Sequence, residues 1–476
     1  MSFTQITFLF AFLPMGVLIY LVTYKLMSQN TLVCNIVLVC ESMLFFWWAE
    51  PKLLLWFVLL TLVMYLLGKR IRATEERFYR RLVTICALVL FALLPVLYRY
   101  LPSLRFLTED GTLAALPVFS DAIVPLGISF FALEAISYIV DIYSGKADAG
   151  GIFDSLAYML MFPKAACGPV VLWRDIEPQL KTRKTNLNKI SEGLKRIIIG
   201  YAKKAIIADT FASSIALIDA KMTTNSTDSL TVWLLGLMYF FRIYYDFSGY
   251  SDIAIGLCKI FGFDIGENFD SPYLSSSLTD FWRRWHVSLY TWFKEYIYIP
   301  LGGNKTGRTF FNILITFLLA GLWHGWRMTI LIWALLNGII VITEKVLSTT
   351  GWYQRIPLFI KVIFTMLLVI LGWLLFRSPD IATAGSTFKA LFISPGGEIP
   401  NFTWRFFMTR RTTVFLLIAA AGVLGLFDRI SRLIRTKIGE NAYEIFEKTM
   451  LLALFALSIM FVIATDYTPF IFAELQ

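Results

Sequence analysis

The chain is 476 residues long, and 58% of its residues are hydrophobic, 16% aromatic and 16% charged. Because an average soluble domain carries about 25% charged residues, this composition excludes a soluble enzyme, a disordered chain and a fibrous protein. Lys and Arg number 43 against 33 Asp and Glu, an excess that cytoplasmic loops facing anionic lipid explain better than a nucleic-acid partner does. We therefore expect a single integral membrane domain over residues 1–476, built as an all-α polytopic protein.

Hydrophobic runs recur from one end of the chain to the other. A helix needs about 20 apolar residues to cross the hydrocarbon core of a bilayer, and on that basis we predict about eleven transmembrane helices. They cover residues 6–26, 31–50, 52–68, 82–101, 121–140, 229–262, 308–324, 328–347, 358–376, 413–427 and 449–465. The run at 229–262 is long and could be broken, whereas 151–172, which Pro163, Gly168 and Pro169 interrupt, is predicted to be re-entrant.

Two basic segments set the predicted orientation. Residues 69–81 contain six Lys and Arg side chains, and the loop at 174–204 contains nine with only three acidic ones. Such segments stay on the cytoplasmic side of a membrane. The loop at 174–204 could also receive the phosphate groups of a cytoplasmic donor, although most basic runs only set topology and contact anionic lipid.

The chain has five cysteines and two histidines. The cysteines show neither a CxxC pattern nor Cys/His ligand spacing, and the histidines have no companions at metal-binding distance in the sequence. We therefore predict neither a metal site nor a disulfide framework.

His324, one of the two histidines, follows an apolar run of about 14 residues. As a helix this run would extend about 21 Å at 1.5 Å per residue, against a hydrocarbon core of about 30 Å. We therefore predict that His324 lies within the membrane at a break between two helices. Gly321 and Gly325 on either side permit a close backbone approach.

A histidine at that depth suits general-base catalysis. Imidazole has a pKa of about 6.5 in water, and burial of the ring lowers the pKa, which leaves a neutral base. Abstraction of a hydroxyl proton by a placed base accelerates a reaction about 10²–10⁴-fold. The alternative for His324 is a packed histidine bonded to a backbone carbonyl.

The second histidine, His286, lies among tryptophans and arginines. At helical spacing Trp282, His286, Leu289 and Phe293 share one face. The pattern predicts an amphipathic helix that lies in the membrane interface. His286 could take part in the chemistry or could only position and support other groups.

A polar stretch interrupts the long run at 229–262. Asp246 and Ser248 belong to it, and Arg242 lies four residues before Asp246, where the two could pair on one helix face. These residues either hold a broken helix together by internal hydrogen bonds or line a cavity.

Seven motifs follow one another between residues 125 and 340. They are PLGISF at 125–130, FP at 162–163 with GPV at 168–170, YDFSGYSD at 245–252, ENF at 267–269, FWRRWH at 281–286, LGGN at 301–304 and GLWHG at 321–325. Together they resemble the membrane-bound O-acyltransferase family, specifically the bacterial branch that acts in alginate O-acetylation, with a family core at about 125–340.

The resemblance implies a fold and a chemistry. The fold would place many transmembrane helices around a thin central region, with a passage that joins the two membrane faces. The reaction would transfer an acyl group from a cytoplasmic thioester to an acceptor handled outside. The essential histidine of the family corresponds to His324, and its second characteristic histidine corresponds to His286, so both are candidate catalytic residues. Candidate substrate-binding residues are Trp323, Asn304, Arg283, Arg284, Asp246 and Ser248.

The expected protein is therefore an O-acyltransferase of the bacterial inner membrane, surrounded by lipid. It would use acetyl-CoA or another acyl thioester, such as an acyl carrier protein, as donor substrate and would hold no bound cofactor. The acceptor would be a cell-envelope or extracellular polysaccharide, and a separate extracytoplasmic acyltransferase would complete delivery.

Three alternatives remain. D-alanyl transfer from a carrier protein to teichoic acid uses similar histidine motifs. A transporter or flippase would have repeated halves and paired ionisable residues along a route, which the sequence does not show. A structural scaffold would leave both histidine motifs unexplained.

Overall fold

The computed structural model describes residue 3, residues 5–49, 51–100, 127–164, 168–224, 228–393 and 402–464, and residue 470. These residues form helices and connecting turns, with no β-strand among them. An isolated antiparallel bridge joins Phe269 and Trp285. The predicted all-α character is thereby confirmed for the described part of the chain.

The chain divides into two compact units, and the first comprises residues up to 197 together with 254–266. Its helices are α1 (Leu13–Leu26), α2 (Thr31–Ala49), α3 (Pro51–Ala73), α4 (Arg77–Tyr100), α5 (Ile128–Tyr143), α6 (Ile152–Leu160), α7 (Trp173–Thr182) and α8 (Leu187–Tyr201), whose last turn belongs to the second unit. The predicted loop at 174–204 is therefore mostly helical.

The second unit comprises residues 198–253 and those from 267 onward. Its helices are α9 (Asp209–Thr224), α10 (Ser229–Ile260), α11 (Leu278–Arg284), α12 (Val287–Phe293), α13 (Thr309–His324), α14 (Met328–Leu347), α15 (Gly351–Arg355), α16 (Leu358–Arg377), α17 (Ile381–Phe392), α18 (Trp404–Phe407), α19 (Arg410–Val423), α20 (Leu426–Ile438) and α21 (Glu440–Ala464). A π-helical turn, Ala202–Ala208, precedes α9.

Seven of the described helices are long and apolar enough to cross a membrane, or eight if a bent pair forms one span. The segments are Phe8–Leu26, Thr31–Trp48, Leu54–Ala73, Arg77–Leu97, Met328–Leu347, Leu358–Arg377 and Glu440–Ala464, and the bent pair is α19 with α20. The protein is thus multi-pass, as predicted, but the number of about eleven spans is not confirmed.

Several predicted spans differ in detail. The run at 308–324 forms a helix of only 16 residues, α13. The run at 413–427 ends early because Gly425 has a φ of 66°, and α20 leaves α19 at an angle of 71°. Residues 121–126 of the predicted span at 121–140 lie outside the described residues, and the helix that follows, α5, has 16 residues.

The long run at 229–262 is not broken. It forms α10, a continuous helix of 32 residues, because its polar stretch finds partners of opposite charge. Lys204 Nζ lies 2.7 Å from Asp246 Oδ1 and 2.7 Å from Asp209 Oδ1, and Lys203 Nζ lies 2.6 Å from Asp252 Oδ2. Buried charges of this kind are tolerated when they are paired.

Glycines let α10 and α8 approach closely. A Cβ on Gly249 would lie 2.8 Å from the carbonyl oxygen of Gly200, and a Cβ on Gly200 would lie 2.6 Å from that of Gly249. Gly193 and Gly256 form a second reciprocal pair, in which the corresponding distances are both 2.6 Å. Side chains at these positions would collide with backbone atoms, so the packing requires glycine.

Candidate active site

A cavity of about 750 Å³ lies within the second unit, and both histidines of the chain line it. Much of its wall is aromatic, formed by Trp282, Trp285, Phe317, Trp333, Trp373 and Phe376. A concave site with an apolar wall and a few polar groups is the usual form of a small-molecule binding site. His286 and His324 are therefore brought to one place although 38 positions separate them in the sequence.

His324 is the last residue of α13, and α14 begins at Met328. The predicted helix break at this histidine is thus present. Aromatic rings surround the imidazole, with centroid distances of 4.7 Å to Trp323, 5.9 Å to Trp333 and 5.4 Å to Phe376. The ring is half-buried, so it is held by apolar contacts and still reaches the cavity.

The prediction of one amphipathic helix through His286 is wrong. Helix α11 ends at Arg284, and His286 adopts a left-handed conformation with φ of 47° and ψ of 53° before α12 begins. For a residue with a Cβ this conformation costs about 1–2 kcal/mol, and such strained residues cluster at functional sites. Spacing alone cannot detect the break, because the residues on both sides fit a helix.

The four residues that a continuous helix would have aligned nevertheless meet. Trp282, His286, Leu289 and Phe293 all line the cavity. The left-handed turn redirects the chain between α11 and α12, so the two short helices present these side chains to the same space.

Asn268 determines the protonation pattern of the His286 ring. The backbone N–H of Ser288 donates to Asn268 Oδ1 at 3.3 Å, and the Ser288 hydroxyl donates to the same oxygen at 2.8 Å. Oδ1 is therefore the acceptor end of the amide, and His286 Nδ1, 3.1 Å away, must donate to it. Because a neutral imidazole has one protonated nitrogen, Nε2 keeps the lone pair.

The surroundings of His286 keep its ring neutral. The residue is 3% exposed, and the Phe247 ring packs edge-on against it at 4.6 Å between centroids. Burial lowers the pKa of His286 well below its usual value of 6.5, and repulsion from a protonated His324 lowers it further. A neutral imidazole whose tautomer is fixed can accept a proton or a hydrogen bond through Nε2.

Two of the six candidate substrate-binding residues line the cavity, namely Arg283 and Asn304. The Asn304 Oδ1 accepts hydrogen bonds from the Tyr298 hydroxyl at 2.8 Å and from Lys345 Nζ at 2.7 Å. Both residues are exposed, so they can contact a ligand that enters the cavity.

The other four candidates do not line the cavity. Arg284 Nε donates to Asp280 Oδ1 at 3.0 Å, and Asp246 accepts from Lys204. Ser248 is buried, and Trp323 packs against the His324 ring.

Several site residues escaped the sequence analysis. Asn268 belongs to the ENF motif, which could have drawn attention to it, but nothing in the sequence shows that it bonds His286 18 positions away. Trp333, Phe376 and Lys345 lie in apolar spans or loops without a recognisable motif. In the described part of the chain, no three His, Cys, Asp or Glu side chains cluster as a metal site would require.

The fold and the cavity define a multi-pass helical membrane protein with two histidines at an internal site. Residues 41–377 match the membrane-bound O-acyltransferase family, and the chain belongs to that family. It is therefore an O-acyltransferase.

Individual relatives align with different shares of the chain. A probable alginate O-acetylase AlgI of Pseudomonas putida is 34% identical over 100% of both chains. A peptidoglycan O-acetyltransferase of Helicobacter pylori is 32% identical over 81% of this chain and 78% of its own length. A teichoic acid D-alanyltransferase of Streptococcus thermophilus is 27% identical, over only 45% of this chain and 55% of its own.

Proposed function

We propose that this O-acyltransferase transfers an acetyl group from a cytoplasmic thioester, acetyl-CoA, for the O-acetylation of a cell-envelope or extracellular polysaccharide. The main support for the proposal is that His286 and His324 line one cavity in a chain that belongs to an acyltransferase family. The relatives whose names specify O-acetylation match more than four-fifths of the chain, which favours acetyl over other acyl groups.

His324 acts as the general base. A hydroxyl of the acceptor attacks the thioester carbonyl carbon while its proton passes to a ring nitrogen of His324. The carbon–sulfur bond then breaks, and the thiolate leaves with that proton as a free thiol. The half-buried ring, held by Trp323, Trp333 and Phe376, meets the geometric demand that a base stay in place during proton transfer.

His286 assists from the same cavity. Because Asn268 holds the proton on Nδ1, Nε2 can accept a hydrogen bond from the acceptor hydroxyl and turn its oxygen lone pair toward the thioester. Its neutral state also avoids placing a second positive charge beside the imidazolium that forms at His324.

The donor enters from the cytoplasm. Residues 294–308 and 345–361 adjoin the ends of α13, α14 and α16 that lie away from His324, and they contain six basic side chains and one acidic one. Such an excess favours the cytoplasmic side. The sequence left two interpretations open for the segment 174–204, donor contact or lipid contact. Because none of its side chains lines the cavity, we assign the donor contact to residues 294–308 and 345–361.

A separate extracytoplasmic acyltransferase completes delivery to the polysaccharide in the bacterial inner membrane. The cavity holds about 750 Å³, a volume suited to one small ligand and not to a polymer chain together with a donor. Either a hydroxyl of the partner or a single sugar hydroxyl therefore receives the acetyl group first.

Purified protein in proteoliposomes tests the proposal directly. We expect labelled acetyl-CoA to be consumed and the label to appear in an ester with a polysaccharide or partner protein. D-alanyl carrier protein, the donor that the teichoic acid reaction would require, serves as the comparison. Transfer from the charged carrier protein with none from acetyl-CoA would contradict the proposal.

A further inference from the structure

Four cations line the cavity that holds the two histidines. They are Arg283, Lys294, Lys345 and Lys361. Within the described part of the chain none of the four forms an ion pair with a carboxylate. Arg283, Lys294 and Lys345 are exposed, and Lys361 is half-buried, so their charges are available to a ligand that enters the cavity.

The single carboxylate among the described lining residues is already engaged. Glu344 Oε1 accepts the backbone N–H of Leu278 at 2.7 Å, and Oε2 accepts the backbone N–H of Thr279 at 3.0 Å. Its charge therefore compensates the positive end of α11 and does not neutralise the lysines. The opening keeps an excess of positive charge, which selects an anion.

The lengths of two helices give the separation between this opening and the His324 end of the cavity. In α14, Lys345 follows Trp333 by 12 residues, and in α16, Phe376 follows Lys361 by 15 residues. At 1.5 Å per residue these are about 18 Å and about 22 Å. Because the rings of Trp333 and Phe376 contact His324, the lysines stand about 20 Å from the proposed chemistry.

A suitable ligand must therefore carry anionic groups at one end and its reactive group at the other. Coenzyme A thioesters have this form, since a pantetheine arm separates the thioester from the phosphates. We propose that Lys345, Lys361 and Lys294 form a subsite that binds the phosphate groups of the donor. This inference rests on the proposed function and names the part of the donor that the cavity recognises.

Local contacts position two of the lysine side chains and leave their charge available to a phosphate. Lys345 Nζ donates to Asn304 Oδ1 at 2.7 Å, which uses one of its three donor hydrogens and leaves two for a ligand. Lys361 Nζ lies 4.7 Å from the centroid of the Tyr353 ring, a contact that places the ammonium without neutralising it.

Substrates with and without phosphate test the subsite. The double variant Lys345→Gln/Lys361→Gln should raise the KM for acetyl-CoA about tenfold or more, because charge-assisted hydrogen bonds to phosphate are lost. The kcat/KM for S-acetyl-N-acetylcysteamine, a thioester without phosphate, should stay within twofold of wild type. Lys448→Gln, on an exposed face of α21, is the matched control and should change neither value.

The binding of free coenzyme A, measured by calorimetry on the same proteins, separates this inference from the proposed function. If wild type binds coenzyme A and the double variant binds it tenfold less tightly, the subsite stands even where no acetyl transfer is observed. Equal binding by both proteins, an equal loss with the two thioesters, or a rise in the KM of an acidic acceptor alone would overturn it.

Discussion

His286 Nδ1 lies 3.1 Å from Asn268 Oδ1, and this contact determines which ring nitrogen keeps its lone pair. Asn268 is itself fixed, because its amide group donates to the Ser251 hydroxyl at 3.0 Å while its oxygen accepts from Ser288. A buried polar network therefore fixes the orientation of one imidazole. A histidine that reacts or forms a directed hydrogen bond requires such an arrangement.

Replacing Asn268 should change the pH dependence of the reaction. Both histidines must be neutral in the proposed reaction, and burial holds the pKa of His286 well below 6.5, so protonation of His286 abolishes activity only at low pH. In Asn268→Asp the new carboxylate stabilises the imidazolium and raises that pKa. The acid limb of the kcat profile should therefore move to higher pH.

Two further variants make this experiment specific. Asn268→Ala removes the acceptor and should lower kcat about tenfold or more with little change in KM. Asn35→Asp changes another buried asparagine, whose amide nitrogen donates to Asp154 Oδ1, and should leave the acid limb where it is in wild type. An unchanged acid limb in Asn268→Asp would contradict the proposed role of the contact.

The Lys204 cluster supports the fold of the second unit. Lys204 is 1% exposed and bonds both Asp246 and Asp209. Lys204→Met removes the buried cation that two buried carboxylates share and should lower the free energy of unfolding by about 3–5 kcal/mol. Thermal unfolding in detergent measures the loss, and the triple variant that also carries Asp246→Asn and Asp209→Asn should recover part of it.

Two controls identify the origin of that loss. Lys448→Met breaks an exposed pair with Glu444 and should change stability by less than about 1 kcal/mol. Asp246→Asn alone should destabilise the protein while the folded fraction keeps its KM for the donor. A raised KM with unchanged stability would instead make Asp246 a substrate-binding residue.

Close packing at Gly249 predicts a steric effect. Because a Cβ there would lie 2.8 Å from the Gly200 carbonyl oxygen, Gly249→Ala should destabilise the protein by about 1–3 kcal/mol through overpacking. A Cβ on Gly385, in α17, would extend into open space with no neighbouring atom within 4 Å, so Gly385→Ala should be neutral or slightly stabilising. Equal thermal stability of the two variants would show that α8 and α10 can separate at no cost.

Seven of the predicted apolar runs correspond to candidate spans. The sequence reveals them because the length of a hydrophobic run can be read from consecutive residues. The helix end at His324 followed in the same way from the short run before it and from the glycines beside it. The left-handed turn at His286 did not, because the residues around it are compatible with a continuous helix.

Contacts between distant positions account for what the sequence could not reveal. Asp246 bonds Lys204, which lies 42 positions earlier in the chain, and no pattern around either residue predicts that contact. Likewise, Lys345 and Lys361 come to the cavity opening only because α14 and α16 both extend away from His324. Such pairings depend on how helices pack and leave no pattern within one helix.

If His324 removes the proton from the acceptor hydroxyl, its loss should slow acetyl transfer, which the initial rate of the reconstituted His324→Ala protein measures. We expect kcat to fall about 10²–10⁴-fold, with a thermal unfolding temperature close to that of wild type. Transfer at the wild-type rate by a folded His324→Ala protein would contradict it.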